Sequence, residues 1–212
     1  NQFGHYNINT NNGLRYSSSK SFLKPIMNNH RFKLLKNCTV KKILFNGRKV
    51  TGLEVYFKNR KLKIKPNIGV ILSSGSIMTP YLLMHSGVGK GEDLKKMDIN
   101  VNIENSNVGK NFQDHIGLDY LYKTNIKTLN YSLGTMIGRV QSLSSYFFKR
   151  RGPLSLSINQ SGGFINWKSK DQFPNLQIYF NPLTYSITHQ NKRPLLQTDK
   201  FNGFIIGFNS CR

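Results

Sequence analysis

The sequence has few acidic residues. Nine Asp and Glu stand against 31 Lys and Arg, and the formal net charge of the 212 residues is +22. Such an excess of positive charge is typical of proteins that bind nucleic acid or another polyanion. Here, however, the basic residues are scattered, and in KLKIKP (61–66) they alternate with apolar residues as on the solvent face of a strand. A basic polyanion-binding protein therefore stays an alternative, and no nucleic-acid partner is expected.

Cysteine, metal-ligand patterns and long apolar runs are also scarce. Cys38 and Cys211 form neither a CxxC pair nor a disulfide framework. No apolar run approaches the roughly 20 residues that a membrane-spanning helix needs, so no transmembrane segment is predicted. No metal site is predicted either, because no metal-ligand spacing links the five histidines, which are His5, His30, His85, His115 and His189. A GxSxG motif is missing too, so the serines give no hydrolase signal.

Neither end of the sequence resembles the end of a complete protein. The chain does not begin with Met, shows no signal peptide, and stops just after the apolar run GFIIGF (203–208). We therefore expect it to be a piece of a longer protein, and its localisation stays open.

Strand-like patterns dominate the segment from residue 32 to residue 66. A hairpin is expected at Asn46-Gly47, because Asn-Gly favours the tight turns that join antiparallel strands. A short helix is expected before this segment, around Ser19–Leu23 and stopped before Pro25. The predicted strands of the small antiparallel sheet are FKLL (32–35), CTVKKILF (38–45), VTGLEVYF (50–57) and KLKIKP (61–66).

A strand followed by a helix is predicted for residues 70–89. The apolar VIL (70–72) is typical of a buried strand, SSGS (73–76) is a crossing of small residues, and a helix capped by Thr79 then runs to Gly87. GVGKG (87–91) follows a helix rather than a strand, so we interpret it as a turn and not as a dinucleotide loop. A second short helix at EDLKKM (92–97) and a strand at INVNI (99–103) complete this α/β region.

The composition changes after His115 toward aromatic, strand-like segments. We predict a boundary near Gly117, which divides the chain into domains 1–117 and 118–212. A helix is expected at QSLSSYFFKR (141–150), and the expected strands of the second domain are GGFINW (162–167), LQIYF (176–180) and FNGFIIGF (201–208).

The stretch GSIMTPYLLMHSGVG (75–89) closely resembles the second signature of the glucose–methanol–choline (GMC) flavoprotein oxidoreductases. The signature consists of a pair of small residues, Ser/Thr-Pro, two aliphatic residues and Ser-Gly-aliphatic-Gly. The stretch has each of these parts at the expected position. Two positions outside this stretch depart from the family pattern. Phe112 stands where Leu is usual, and Lys33 stands where Asn is usual. Further similar segments follow the family order: GLRYSSSKSFLKP (13–25), HRFKLL with CTVKKILF (30–45), VGKNFQDH (108–115) and RRGPLSLSINQSGGFINW (150–167). The last resembles the segment that opens the substrate domain of the insect members, and the chain as a whole most resembles insect FAD-dependent, quinone-linked glucose dehydrogenase-like proteins.

The resemblance implies both a fold and an activity. The fold class is a partial α/β FAD-binding (Rossmann-like) domain, 1–117, followed by a partial α+β substrate domain with an antiparallel sheet, 118–212. The activity is oxidation of an alcohol, including a sugar such as glucose, to a carbonyl by hydride transfer to FAD. Quinone or oxygen then accepts the electrons, and secretion is compatible with the family.

The resemblance also assigns cofactor-binding residues. Small residues at Ser73, Ser74, Gly75 and Ser76 would let the backbone approach FAD, and the backbone of Val40 would face the adenine. Four residues match an element near the flavin, namely Asn111, Gln113, Asp114 and His115. For Asp114-His115, a structural hydrogen-bonded corner is the alternative, and for Val40 an ordinary core side chain.

Two parts of the family pattern are missing. No strand–GxGxxG–helix for the FAD pyrophosphate occurs in the sequence, and no His matches the catalytic motif near the family's C-terminus. No catalytic residue is therefore assigned, and the 212 residues alone are expected to be inactive and to hold FAD weakly. A non-catalytic remnant of such an enzyme is an alternative, and the substrate and oligomeric state stay open.

Overall fold

A computed structural model of the chain describes residues 2–167, 173–188 and 195–211. Its strands are β1 Gln2–His5, β2 Thr10–Asn11, β3 Leu14–Arg15, β4 Cys38–Asn46, β5 Lys49–Phe57, β6 Arg60–Ile64, β7 Val88–Gly89, β8 Ile103–Glu104, β9 Gly117–Lys123, β10 Ser161–Ile165, β11 Leu176–Asn181, β12 Tyr185–Thr188, β13 Leu195–Thr198 and β14 Gly203–Ser210. The α-helices are α1 Gly75–His85, α2 Gly91–Lys96, α3 Leu129–Gly134 and α4 Met136–Lys149, with shorter helical turns at Ser19–Leu23, Lys24–Ile26 and Pro153–Ser155.

The chain divides into two compact units. Asn29–Gln113 form one, here called the hairpin unit, and Asn1–Asn28 together with Asp114–Arg212 form the other, here called the sheet unit. The first 28 residues thus pack with the C-terminal part of the chain. The predicted boundary near Gly117 separates a cofactor domain from a substrate domain. It is a different division from these two units, and it stays a prediction.

The hairpin unit is built on the predicted antiparallel sheet, in the order β4-β5-β6. The hairpin at Asn46-Gly47 is confirmed: Asn46 pairs with Lys49, and Gly47 adopts a φ of 56° in the two-residue loop. Val55 and Ile43 are almost fully buried on one face of the sheet. The opposite face carries Glu54, whose carboxylate lies 2.8 Å from the Lys61 ammonium. Leu62 of β6 exposes 44% of its surface, so the alternation of apolar and basic residues in 61–66 does not separate a buried from a solvent face.

Helix α1 packs against β4 in the hairpin unit. The Oγ of the fully buried Ser86 accepts a hydrogen bond from the Ile43 backbone N–H at 2.8 Å and donates one to the Leu82 carbonyl at 2.6 Å. Gly87 then ends the helix with a φ of 83°, where a Cβ would lie 2.4 Å from the Asn100 carbonyl oxygen. Small residues therefore let this corner close tightly.

Two predicted strands of the hairpin unit are wrong. Residues 32–35 and 70–72 form no strand, and no described segment pairs with either of them. Ile71 exposes 91% of its surface, although the apolar run predicted burial. An apolar run alone does not make a strand, because the backbone N–H and C=O groups of a strand need a neighbouring strand as hydrogen-bond partner.

Two other boundaries differ from the prediction. Helix α1 begins at Gly75 and not at Thr79, because the Ser74 N–H donates to the Thr79 Oγ and the chain already turns at Gly75, with a φ of 87°. Pro80 is consequently inside the helix, where its missing N–H leaves the Ser76 carbonyl without its usual partner. The strand at 99–103 is reduced to Ile103–Glu104, which pairs in parallel with Val88–Gly89. Helix α2 is confirmed.

The sheet unit contains a five-stranded antiparallel sheet in the order β1-β10-β11-β14-β9. The predicted strands at 162–167, 176–180 and 201–208 are confirmed as β10, β11 and β14, and the predicted helix at 141–150 is confirmed within α4. The pattern did not predict β1 or β9, which are the two edges of this sheet. The helical turn Ser19–Leu23 is confirmed, but helical geometry continues through Pro25 in the next turn.

The buried core of the sheet unit lies at one end of the sheet. Leu183, Thr184 and Ile205 are buried there, with the Asn130 side chain among them. The Asn130 amide donates to the Thr184 carbonyl at 2.8 Å and accepts from the Thr184 N–H at 3.0 Å. Across the described part of the chain, no helix combines the length and apolar character needed to cross a membrane.

Candidate functional site

A pocket of about 560 Å³ lies between strand β4 and helix α1 in the hairpin unit. The residues that line it are Cys38, Thr39, Val40, Lys41, Ser74, Met78, Tyr81, Leu82 and His85. One wall is the first half of β4, and the other wall is the N-terminal end and one face of α1. The volume falls within the range of about 300–1,000 Å³ typical of small-molecule sites.

The β4 wall of the pocket is an irregular sheet edge. Within the described residues, no strand pairs with the outer edge of β4. The register of β4 against β5 shifts between Val40, opposite Val55, and Lys42, opposite Glu54, so Lys41 is the extra residue of a β-bulge. Sheet edges carry backbone N–H and C=O groups available to another molecule, and bulges are frequent next to functional sites. This wall can therefore offer backbone hydrogen bonds to a planar polar group.

The α1 wall brings a helix N-terminus to the pocket. Ser74 is the N-cap residue and lines the pocket, and the first turn of α1 contains no acidic residue. The first backbone N–H groups of a helix have no intrahelical partner and carry partial positive charge, which favours an anionic group. A Cβ at Gly75 would have no atom within 4 Å, so the space beside this turn is open.

The far end of the pocket is aromatic. The rings of Tyr81 and His85 are stacked one turn apart on α1, with centroids 5.8 Å apart and an angle of 5° between the planes. Both side chains are exposed toward the pocket side, whereas Leu82, between them in sequence, is buried. Behind the wall, the hydrogen bonds of Ser86 hold α1 against β4 and so fix the width of the pocket.

The structure brings together two of the predicted cofactor-binding residues. Val40 and Ser74, 34 residues apart in sequence, line the same pocket. Val40 exposes 38% of its surface, so the alternative that its side chain is an ordinary core residue does not hold in this structure. Ser73, Gly75 and Ser76 are exposed neighbours of Ser74 at the start of α1, but they do not line the pocket.

The other four predicted residues do not form part of this pocket. Asn111 and Gln113 are exposed at the end of the hairpin unit, and Asn111 adopts a φ of 56°. Asp114 and His115 belong to the sheet unit, where the Asp114 carboxylate accepts a hydrogen bond from the His115 backbone N–H at 2.8 Å. This contact is local, and the chain forms no turn at these two residues, so both the structural corner and the proximity to a flavin stay predictions.

Sequence reasoning missed several lining residues. Tyr81 and His85 carried a signal, because side chains four residues apart share one face of a helix. Thr39 and Lys41 carried none, since only the bulge and the packing of α1 on β4 place them at the pocket. Residues with metal-ligand side chains do not cluster in groups of three or more anywhere in the described part of the chain, and His189 lies outside it.

The sheet unit holds a second polar feature. Tyr179 on β11 donates a hydrogen bond of 2.5 Å to the Asp119 carboxylate on β9, passing over Gly207 of the strand between them. A Cβ at Gly207 would lie 2.0 Å from the Tyr179 ring, so only glycine allows the ring to lie flat across β14. Burial and then the hydrogen bond to Asp119 raise the pKa of Tyr179 to about 12.

Comparison with known proteins agrees with this architecture. The sequence model of a family described as GMC oxidoreductase matches residues 1–117. An alcohol dehydrogenase (acceptor) of Pseudomonas putida is 34% identical over 192 residues, which are 89% of this chain and 35% of that protein. An oxygen-dependent choline dehydrogenase of Staphylococcus aureus is 31% identical over 182 residues, 85% of this chain and 32% of that protein. This chain thus spans about a third of the length of these relatives.

A solved structure shows the same fold. A formate oxidase from Aspergillus oryzae superimposes with a TM-score of 0.76 at 21% identity, covering 94% of this chain and 38% of that one. The expected fold class, a partial α/β domain accompanied by antiparallel sheets, is confirmed by this likeness.

Proposed function

This chain belongs to the GMC oxidoreductase family, and on this premise we propose that the protein containing it oxidises an alcohol to a carbonyl. The cofactor of this family is FAD, which when bound accepts the hydride from the CH–OH carbon. The residues of this chain contribute the binding of the cofactor and part of the substrate domain. No residue of the chain is proposed as the catalytic base.

The pocket between β4 and α1 is the proposed site for the adenosine end of FAD. Its β4 wall offers backbone hydrogen-bonding groups near Val40, which suits the polar edge of an adenine. Its other wall carries the Ser74 side chain at the N-terminus of α1, which makes no capping hydrogen bond within the helix and suits a phosphate or ribose oxygen. The single observation that supports the proposal most is that Val40 and Ser74, both assigned to the cofactor from the sequence, line this one pocket.

The chain's residues hold this site open rather than acting on the substrate. Bulky side chains at 73–76 would fill the space beside the helix start, where Ser73, Ser74, Gly75 and Ser76 leave it free. The Ser86 hydrogen bonds fix the spacing of α1 and β4, so the two walls are preorganised before any ligand binds. We assign Asn111, Gln113, Asp114 and His115 to the flavin end as part of the same proposal.

Donor and acceptor are the finer part of the proposal. The relatives named above act, by name, as an alcohol dehydrogenase with an acceptor and an oxygen-dependent choline dehydrogenase. A small alcohol is the proposed donor, with a sugar such as glucose as a member of that class, and quinone or oxygen is the proposed acceptor. We propose that residues 118–212 help to determine the donor.

The activity is tested on the longest gene product that contains these 212 residues. The purified protein is mixed anaerobically with small alcohols and sugars, and bleaching of the flavin absorbance is followed, then its recovery on adding a quinone or oxygen. Bleaching by an alcohol supports the proposal. Bound FAD that no alcohol reduces would instead indicate a non-catalytic member of the family, and absence of FAD would contradict the cofactor assignment.

The pocket is tested by filling it. Met78 and Ile77 are neighbouring exposed residues of α1, but only Met78 lines the pocket. We expect Met78→Trp to weaken FAD retention by about tenfold or more, because the indole occupies space needed by the ligand, whereas Ile77→Trp leaves it unchanged. FAD content per protein after gel filtration is the measurement. Equal retention by both variants would show that the adenosine end binds elsewhere.

A further inference from the structure

Helix α4 of the sheet unit has its apolar side facing outward. Six large apolar side chains form a continuous stripe on it, and each exposes between 58% and 85% of its surface. Their spacing follows the helical repeat, so they share one face. We call this set the α4 stripe; its members are Met136, Ile137, Val140, Leu143, Phe147 and Phe148.

The opposite side of α4, which packs against α3, is made of small residues. Gly138 and Ser142 are buried there, and a Cβ at Gly138 would lie 2.6 Å from the Tyr131 carbonyl oxygen. The Ser142 hydroxyl donates to the Ser132 carbonyl at 3.3 Å. The close packing of α4 thus uses its small side, and burial of the α4 stripe is not what holds the helix in place.

The charge around the α4 stripe is of one sign. The sequence contains no Asp or Glu between residues 120 and 170. Arg139 flanks the stripe, the last residue of the helix is Lys149, and two further cations, Arg150 and Arg151, follow directly. The Arg150 guanidinium lies 5.3 Å from the Tyr146 ring centre, which holds this cation at the end of the helix.

We propose that the α4 stripe docks on an anionic lipid surface. An interfacial helix combines an apolar face containing Phe and Leu with nearby Lys and Arg. Helix α4 has such an apolar face, with Arg139 beside it and cations at and just after its C-terminal end. Cations at the helix end would contact the headgroups while Phe147 and Phe148 enter the acyl boundary. A second copy of this chain is a poorer partner, because its acid-free segment offers no anions to these cations.

Lipid docking does not depend on the proposed oxidation reaction, so its test measures binding and not turnover. The longest gene product that contains the chain is floated with vesicles of phosphatidylcholine alone and with vesicles of phosphatidylcholine and phosphatidylglycerol in equal parts. We expect partition into the anionic vesicles. Replacing both Phe147 and Phe148 by Ser should lower the partition coefficient by about tenfold or more, because two aromatic side chains no longer leave water.

The matched control is Phe22→Ser. Phe22 is also a highly exposed phenylalanine of the sheet unit, but it lies on the turn Ser19–Leu23 outside the α4 stripe. We expect its variant to partition like the unchanged protein. Replacing Lys149, Arg150 and Arg151 by Gln should reduce binding to anionic vesicles and leave binding to phosphatidylcholine unchanged.

Three results would overturn the proposal. One is the same vesicle partition for the double Ser variant and the Phe22→Ser control. Another is a Phe148→Cys variant that takes up no more maleimide than the unchanged folded protein, in which Cys38 and Cys211 set the background, because this would mean that the rest of the protein covers the stripe. The last is a dimer that the double Ser variant dissociates, without any vesicle binding by the unchanged protein, which would make a second copy the occupant.

Discussion

The hairpin unit and the sheet unit bury their apolar side chains to different extents. The hairpin unit, although smaller, contains most of the buried apolar core, including Val55, Leu82 and Leu94. The sheet unit contributes Leu183 and Ile205, while many of its aromatic and aliphatic side chains are exposed on the sheet and on α4. The hairpin unit is therefore organised around its own core and its own pocket. In the sheet unit, large apolar faces are exposed.

Each unit nevertheless has a buried polar side chain whose hydrogen bonds join distant segments. In the sheet unit this residue is Asn130, and in the hairpin unit it is Ser86. Asn130 holds loops at one end of a sheet, whereas Ser86 holds the two walls of the candidate site. The same physical device thus stabilises the architecture in one unit and the site in the other.

The largest expected effect is the loss of the Asn130 side chain. Asn130→Ala removes bonds to the Thr184 backbone on both its carbonyl and N–H sides, and a third to the Asp199 carbonyl at 3.2 Å. Because these groups would stay buried without partners, we expect the free energy of unfolding to fall by about 3 kcal/mol. Urea denaturation is the measurement. The control is Asn125→Ala, an exposed asparagine nearby, and equal stability of both variants would refute the role of Asn130.

Ser86→Ala should have the next largest effect. The Ile43 N–H loses the Ser86 Oγ as its acceptor, and the loss should cost about 2 kcal/mol of unfolding free energy. The variant should also lower FAD retention in the longest gene product that contains the chain, since the walls of the pocket are no longer tied together. Ser76→Ala, on the exposed start of the same helix, should leave stability unchanged. If Ser86→Ala lowered stability but left FAD retention normal, the Ser86 hydrogen bonds would not be needed for the pocket to bind FAD.

A smaller effect is expected at the start of α1. Gly75 adopts a φ of 87°, so Gly75→Ala should cost about 1 kcal/mol through backbone strain, although its Cβ meets no atom. Gly69→Ala is the matched control, because its Cβ also meets open space but its φ is not positive. The difference in unfolding free energy between the two variants measures the backbone strain alone. Equal stability would mean that the helix start relaxes to accept a side chain.

The smallest expected effect concerns pH. Because the folded pKa of Tyr179 is about 12 and the ordinary value is 10, its contribution to stability is complete below pH 10 and is lost as the pH rises toward 12. Tyr179→Phe should therefore show a shallower loss of stability over this alkaline range than the unchanged chain. Denaturation midpoints measured across this pH range test the direction of the effect, with Tyr120→Phe as the control. A steeper loss in Tyr179→Phe would contradict it.

The sequence predicts the elements that form their hydrogen bonds within a few residues better than the strands that pair with distant segments. Local signals succeeded at the Asn46-Gly47 hairpin, at α2 and in α4, because a turn or a helix forms its hydrogen bonds within a few residues. They failed at residues 32–35 and 70–72, where strand pairing depends on segments far away in the chain. The edges β1 and β9 went unpredicted for the same reason: Gln2–His5 pairs with residues 161–164, more than 150 residues later.

The candidate site shows the same division. The sequence by itself determined the family, through the signature at 75–89, and so indicated Val40 and the small residues at 73–76. Only the tertiary structure decided that Val40 and Ser74 share a pocket, that Lys41 bulges beside them, and that Tyr81 and His85 form its aromatic end. A signature records which residue types follow one another along a chain. A pocket depends on which walls meet, and here Ser86 decides that by holding α1 against β4.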